Sequence, residues 1–161
     1  MTTTFDHRGF ADKLLPAVIE AGRIQLSYYN AGVAVELKAD QSPVTIVDRE
    51  SEAVLMAALA RIAPDIPVVA EEAVAAGVHT RVGDRFFLVD PLDGTREFIH
   101  RRGEFTINVA LVEAGAAVFG IVYAAVLGQL YLTLSTAEAA EADVAAASRI
   151  TGLADLPLRS I

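Results

Sequence analysis

Apolar residues recur every three or four positions from Phe10 to Tyr28, at Phe10, Leu14, Ala17, Val18, Ala21, Ile24 and Tyr28, which predicts an amphipathic helix. Asn30 and Gly32 supply its stop signals, and Val33 to Leu37 reads as a short extended piece. The SPVT stretch, Ser42 to Thr45, reads as a turn because Pro43 disfavours helical geometry at Ser42. Thr45 then caps a second helix whose apolar face is Val47, Ser51, Val54, Leu55, Ala58, Leu59 and Ile62. Asp48 falls in its first turn, where a negative charge suits the helix dipole, and Pro64 ends it.

The pattern then changes period. Ile66 to Ala70 is a short apolar run that stops at Glu71 and Glu72, and Ala73 to Asp84 has the small, polar character of a surface loop. Arg85 to Val89 (RFFLV) is a strand that runs into the turn DPLDGT, after which Arg96 to His100 makes one helical turn. Glu104 to Val112, Ala116 to Tyr123 and Gln129 to Leu134 are strand-like and separated by glycine-containing turns, an antiparallel meander. Thr136 to Arg149 is rich in alanine, which favours helix, and ITGLADLPLRSI beyond it has no clear period. No linker or repeat divides the chain, so residues 1–161 are read as one domain, with 135–161 set apart in character.

Composition narrows the function classes. Lys plus Arg is 13 against 21 Asp plus Glu, a net charge of −8, which argues against a nucleic acid polymer as partner because phosphate contacts need basic side chains. A small phosphorylated ligand remains open if cations neutralise it. The chain has no cysteine, which removes disulfides and thiolate chemistry. The first residues lack the apolar core of a secretory signal, and the longest apolar run, Ala114 to Gly128, is too short for a membrane span. The expectation is a cytoplasmic protein.

Five acidic side chains sit at predicted element ends: Asp48, Glu71, Glu72, Asp90 and Asp93. Asp90 and Asp93 flank a turn that Pro91 stiffens and Gly94 permits, so both carboxylates and the carbonyl of Leu92 can serve one side of it. Magnesium takes such oxygen donors, commonly one or two carboxylates together with water and phosphate oxygens. Thr95 opens a helical turn, whose free N–H groups favour an anion. Each signal alone has a plainer reading: an Asp-Gly turn, a helix-start charge at Asp48, a solvated Glu-Glu pair. His7, His79 and His100 lack ligand-like spacing and are read as surface residues, while Lys38, Arg96, Arg101 and Arg102 are read as solvent-facing.

The order SPVTIVDRESE, VVAEEA, LVDPLDGTREFI and GEFTINVALVE resembles the inositol monophosphatase superfamily of magnesium-dependent, lithium-sensitive phosphatases. Leu92, Arg96-Glu97-Phe98 and the GEFT segment, Gly103 to Thr106, are most similar to its 3′(2′),5′-bisphosphate nucleotidase branch. The resemblance implies an α+β fold, a layered α/β sandwich of the sugar-phosphatase type, here with two helices on a largely antiparallel sheet. It also implies hydrolysis of adenosine 3′,5′-bisphosphate, or its sulfated relative, by a water activated between two or more Mg2+ ions. Glu71, Asp90, the Leu92 carbonyl and Asp93 correspond to the metal ligands, and Leu92, Asp93, Gly94 and Thr95 to the phosphate cradle. Asp48 and Thr95, with Glu71, correspond to the catalytic groups that orient and deprotonate the water.

The resemblance covers about Phe10 to Leu134. The family's second half carries a Trp-Asp motif, and this chain has no tryptophan. The expectation is therefore an N-terminal half, possessing an open apolar face that promotes self-association. Three other readings stay open: a phosphatase for inositol or sugar phosphates, a non-catalytic metal- or phosphate-binding half, and a haloacid-dehalogenase-like phosphotransferase. The last is disfavoured, because that motif has one residue between its aspartates whereas Asp90 and Asp93 have two.

Overall fold

A computed structural model describes residues 5–29, 31, 35–37, 43–147 and 149–161. Helix α1 (His7–Tyr29) and helix α2 (Ile46–Ile62) follow the predicted periodicity and bury Leu14, Leu15, Val18, Leu55 and Leu59. Helix α1 continues through Pro16, which removes one backbone hydrogen bond, so its stability rests on packing. Gly22 lets α1 pass close to the sheet, since a Cβ there would collide with the ring of Tyr123.

Two short strands, β1 (Val35–Leu37) and β2 (Pro43–Thr45), pair antiparallel ahead of α2. Pro43 to Thr45 is thus extended where a turn was expected, and Asn30, Gly32, Val33, Lys38 and Ser42 lie outside the described residues. The main sheet has seven strands in sequence order: β3 (Val68–Ala70), β4 (Arg85–Asp93), β5 (Thr106–Glu113), β6 (Ala116–Ala124), β7 (Gln129–Ser135), β8 (Glu138–Asp143) and β9 (Arg159–Ser160). Only the β3–β4 pair is parallel; β5, β6 and β7 form the expected antiparallel meander, which β4, β8 and β9 extend.

Strand alternation puts Phe87, Val89, Ile107, Val109, Leu111, Phe119, Ile121, Leu130 and Leu132 into one core with the two helices. The opposite face carries Leu88, Ala110, Gly120 and Val122, and Leu88 and Val122 are exposed. The fold is therefore mixed α and β, with both long helices on one side of a mostly antiparallel sheet.

Three further expectations fail. The alanine-rich stretch is not a helix: Glu138–Asp143 forms β8 against β7, followed by a 3-10 turn at Val144–Ala146. Ala140 and Ala142 alternate inward between outward acids, and the open edge of β7 outweighs alanine's helix propensity. The loop expected from Ala73 begins as helix α3 (Glu71–Ala75). His7 is buried rather than on the surface, with its ring nitrogens placed against the carbonyls of Phe5 and Val118 at 2.9 and 3.0 Å. The final residues are also tied in, since Leu153 and Leu156 join the core and the Leu153 N–H donates to Asp12 at 2.7 Å.

Candidate active site

Four of the five acidic residues, Glu71, Glu72, Asp90 and Asp93, are brought to one end of the sheet by the way β3 and β4 terminate. These neighbours run parallel, so the chain leaves both at the same end: β3 into α3 at Glu71, and β4 into the Asp90–Asp93 segment. Asp90 pairs with Asn108 and Asp93 with Thr106, so four residues of β4 face three of β5. This bulge re-aims the DPLD carboxylates and ends regular pairing. Leu92 anchors it by burying its side chain with Val47, Phe98 and Phe105. Gly94 then takes φ 94°, a left-handed conformation, and caps helix α4 (Thr95–Ile99).

Asp48 approaches from α2. It is fully buried, and its Oδ2 accepts from the Thr45 N–H at 2.7 Å and the Thr45 hydroxyl at 2.6 Å. Thr45 Oγ1 accepts in turn from the Val47 N–H, completing a capping box with aspartate in the place of glutamate. Asp48 Oδ1 accepts from the Thr95 hydroxyl at 2.9 Å, while the Leu92 carbonyl lies 3.2 Å from that hydroxyl. The charged acceptor is the closer and stronger of the two. Asp48 thus has no open side of its own; its oxygen meets the site through the partly exposed Thr95.

Glu71 and Asp90 form the second pair. Burial pushes the Asp90 carboxyl up to about 7, helped by the charge of Glu71, a hydrogen bond shared with it and the charge of Asp93; the Leu92 N–H opposes the rise. Asp93 is exposed and accepts from the Asn108 side-chain amide at 3.0 Å. The two DPLD carboxylates therefore sense each other but bond to different partners.

An unfolded aspartate loses its proton near pH ~4. The folded, ion-free protein consequently binds more protons than the unfolded chain between about pH 4 and 7, and this contribution to stability is lost as pH rises through that window. Thermal melts in chelator should show an Asp90→Asn variant gaining melting temperature relative to wild type between pH 5 and pH 8. An unchanging difference would remove this account of Asp90.

The donor chemistry suits a hard divalent cation: Glu71 and Asp90 are adjacent carboxyl groups, and the charge of Glu71 raises the cost of ionising Asp90, a cost that a cation would relieve, beside a neutral carbonyl at Leu92. Among the described residues no group of three or more His, Asp or Glu side chains is placed to hold an ion by itself. Water and phosphate oxygens would have to supply the remaining ligands, which is usual for magnesium.

Sequence reasoning missed the supports. Glu52, one helical turn after Asp48, accepts from the Glu72 and Ala73 N–H groups at 2.6 and 2.9 Å and so fixes the start of α3 behind Glu71. Its signal was an acid on the buried stripe of α2. Glu72, grouped with Glu71 as a solvated pair, is buried while Glu71 is exposed. Arg96, Arg101 and Arg102 are exposed, as expected.

Helices on one side of such a sheet, with carboxylates gathered where its parallel strands end, match a known group of proteins. A sequence model of the inositol monophosphatase family covers residues 10–148, and the chain belongs to that family. It is 41% identical over 122 residues to the 3′(2′),5′-bisphosphate nucleotidase CysQ of Shigella flexneri, covering 74% of this chain and 50% of that protein. The Salmonella typhimurium CysQ is 45% identical over 113 residues, covering 69% and 46%. The structure of CysQ from Bacteroides thetaiotaomicron matches with a TM-score of 0.66 at 35% identity, over 91% of this chain and 51% of that one. The chain spans about half the length of these relatives.

Proposed function

We propose that this chain carries the metal- and phosphate-holding part of a magnesium-dependent phosphomonoesterase acting on adenosine 3′,5′-bisphosphate or its sulfated form. The observation that carries the reading is the Asp48–Thr95 hydrogen bond standing across the bulged turn from the Glu71–Asp90 pair. Similarity to the CysQ nucleotidases supports the substrate class.

Glu71, Asp90, Asp93 and the Leu92 carbonyl would hold two or more Mg2+ ions, which would acidify a water and neutralise phosphate charge. Thr95 holds its hydroxyl proton toward Asp48, leaving the hydroxyl oxygen to accept a hydrogen bond from the attacking water. Asp48 takes up proton density as that water loses its own, without contacting the water itself. The N–H groups at the start of α4 and the backbone from Leu92 to Thr95 orient the phosphate.

Phosphate release from adenosine 3′,5′-bisphosphate, measured with magnesium and with and without lithium, tests this reading. Lithium-sensitive release supports it. Faster release from inositol 1-phosphate would move the substrate to the inositol branch. Calorimetric binding of magnesium and substrate without turnover would assign a non-catalytic binding half.

The open sheet face completes the proposal. A shallow groove of about 490 Å³ lined by Leu88, Val122, Val74 and Ala110 runs up to Glu71 and Asp90. A second copy burying this face would remove exposed apolar surface beside the site. Sedimentation should show dimers that Leu88→Lys dissociates; a wild-type monomer at all concentrations would refute self-association. No described helix is long and apolar enough to cross a membrane.

A further inference from the structure

Gln25 interrupts the buried stripe of α1. Leu14, Val18 and Ala21 precede it at helical spacing and are fully buried apolar residues, and Gln25 is equally buried. Its Nε2 donates to the Pro91 carbonyl at 2.8 Å, across 66 positions of sequence. Its Oε1, also buried, has no hydrogen-bond partner among the described residues. An apolar side chain would avoid that unpaired oxygen, so packing alone does not explain a glutamine here.

The other end of the bond supplies the explanation. The carbonyl of Pro91 falls inside the β4 bulge, where pairing with β5 skips from Asp90 to Asp93. A carbonyl displaced from the ladder and facing the core needs another donor. Gln25 supplies it, and the orientation of the Pro91–Leu92 peptide is thereby set from the helix layer. That peptide leads directly into the Leu92 carbonyl and Asp93, with Asp90 one residue before Pro91.

We infer that Gln25 is a positioning residue: it holds the 90–95 turn in the geometry that gathers its oxygen ligands. This inference rests on reading that turn as the ion- and phosphate-holding element. It differs from the fixing of α3 by Glu52, because it acts on the turn itself and from the other helix.

The test compares wild type with Gln25→Met, which keeps bulk and removes the donor. In the ion-free proteins, amide exchange of the peptide spanning Leu92 to Thr95 should quicken about tenfold in the variant while β5 to β7 exchange unchanged. Calorimetric titration with magnesium alone should show affinity reduced by about tenfold with little change in melting temperature, a split that loss of packing would not produce. Equal exchange in the turn, quickening spread over the whole fold, or unchanged magnesium affinity would each overturn the role. If wild type binds no magnesium, the functional reading fails, and turn exchange still decides whether Gln25 positions the segment. Should Gln25→Met fail to fold, exchange of the Gln25 side-chain amide protons in wild type decides instead. Protection of about a hundredfold or more is expected, and free exchange would overturn the inference.

Discussion

Replacing Asp48 by asparagine should reduce phosphate release by about 100- to 10,000-fold while leaving the fold nearly intact. Asparagine can still accept from Thr45 through its oxygen, so the start of α2 keeps its cap. Its other arm becomes an NH2 group facing the Thr95 hydroxyl, which reverses the hydrogen bond seen at 2.9 Å. The hydroxyl then directs its proton elsewhere, and no carboxylate remains behind it to take up proton density. Asp48→Ala separates the two roles, because it also removes the carboxylate half of the capping box and leaves buried donors on Thr45 unpaired. It should cost about 2 kcal/mol of stability in addition to activity. Rates with magnesium and urea melts of both variants would check this; an active asparagine variant would remove Asp48 from the proposed chemistry.

The second large effect is expected at Gly94. Its φ of 94° is in the left-handed region, and a Cβ would stand 2.9 Å from the backbone oxygen of Glu104 and 3.2 Å from Phe105 Cβ. Backbone cannot rotate away as a side-chain tip can, so Gly94→Ala must shift either the α4 start or the 104–105 segment. A loss of about 2–3 kcal/mol is expected from dihedral strain and the clash together. Because Thr95 follows directly, magnesium and phosphate binding should weaken in the same variant. A melting temperature equal to wild type would show that the turn is softer than its packing against Phe105 implies.

Much of this was legible in the chain, but through different signals. The stripes of α1 and α2 and the strands after Arg85 declare themselves by period, because each has one face in the core. Glu138–Asp143 did not, because alanine suits a helix in isolation and becomes a strand only beside the edge of β7. The proximity of Asp48 and Thr95, 47 positions apart, was legible only through resemblance to a family. Neither spacing nor composition brings those two together. Gln25 and Glu52 were hidden for a related reason: a polar residue on a buried stripe acquires meaning only when the loop above it is known.

The attachment of α1 bears on how the chain reaches this state. The helix that leads the sequence is held by partners made far later: Val118 receives the His7 ring across 111 positions, and Leu153 bonds to Asp12 across 141. Closing such long loops costs entropy before any contact repays it. During synthesis, α2 can cover part of the apolar stripe of α1 early, and the rest waits until the meander has emerged. Chaperone demand should therefore fall on the helix pair while the sheet that completes its core is still being made.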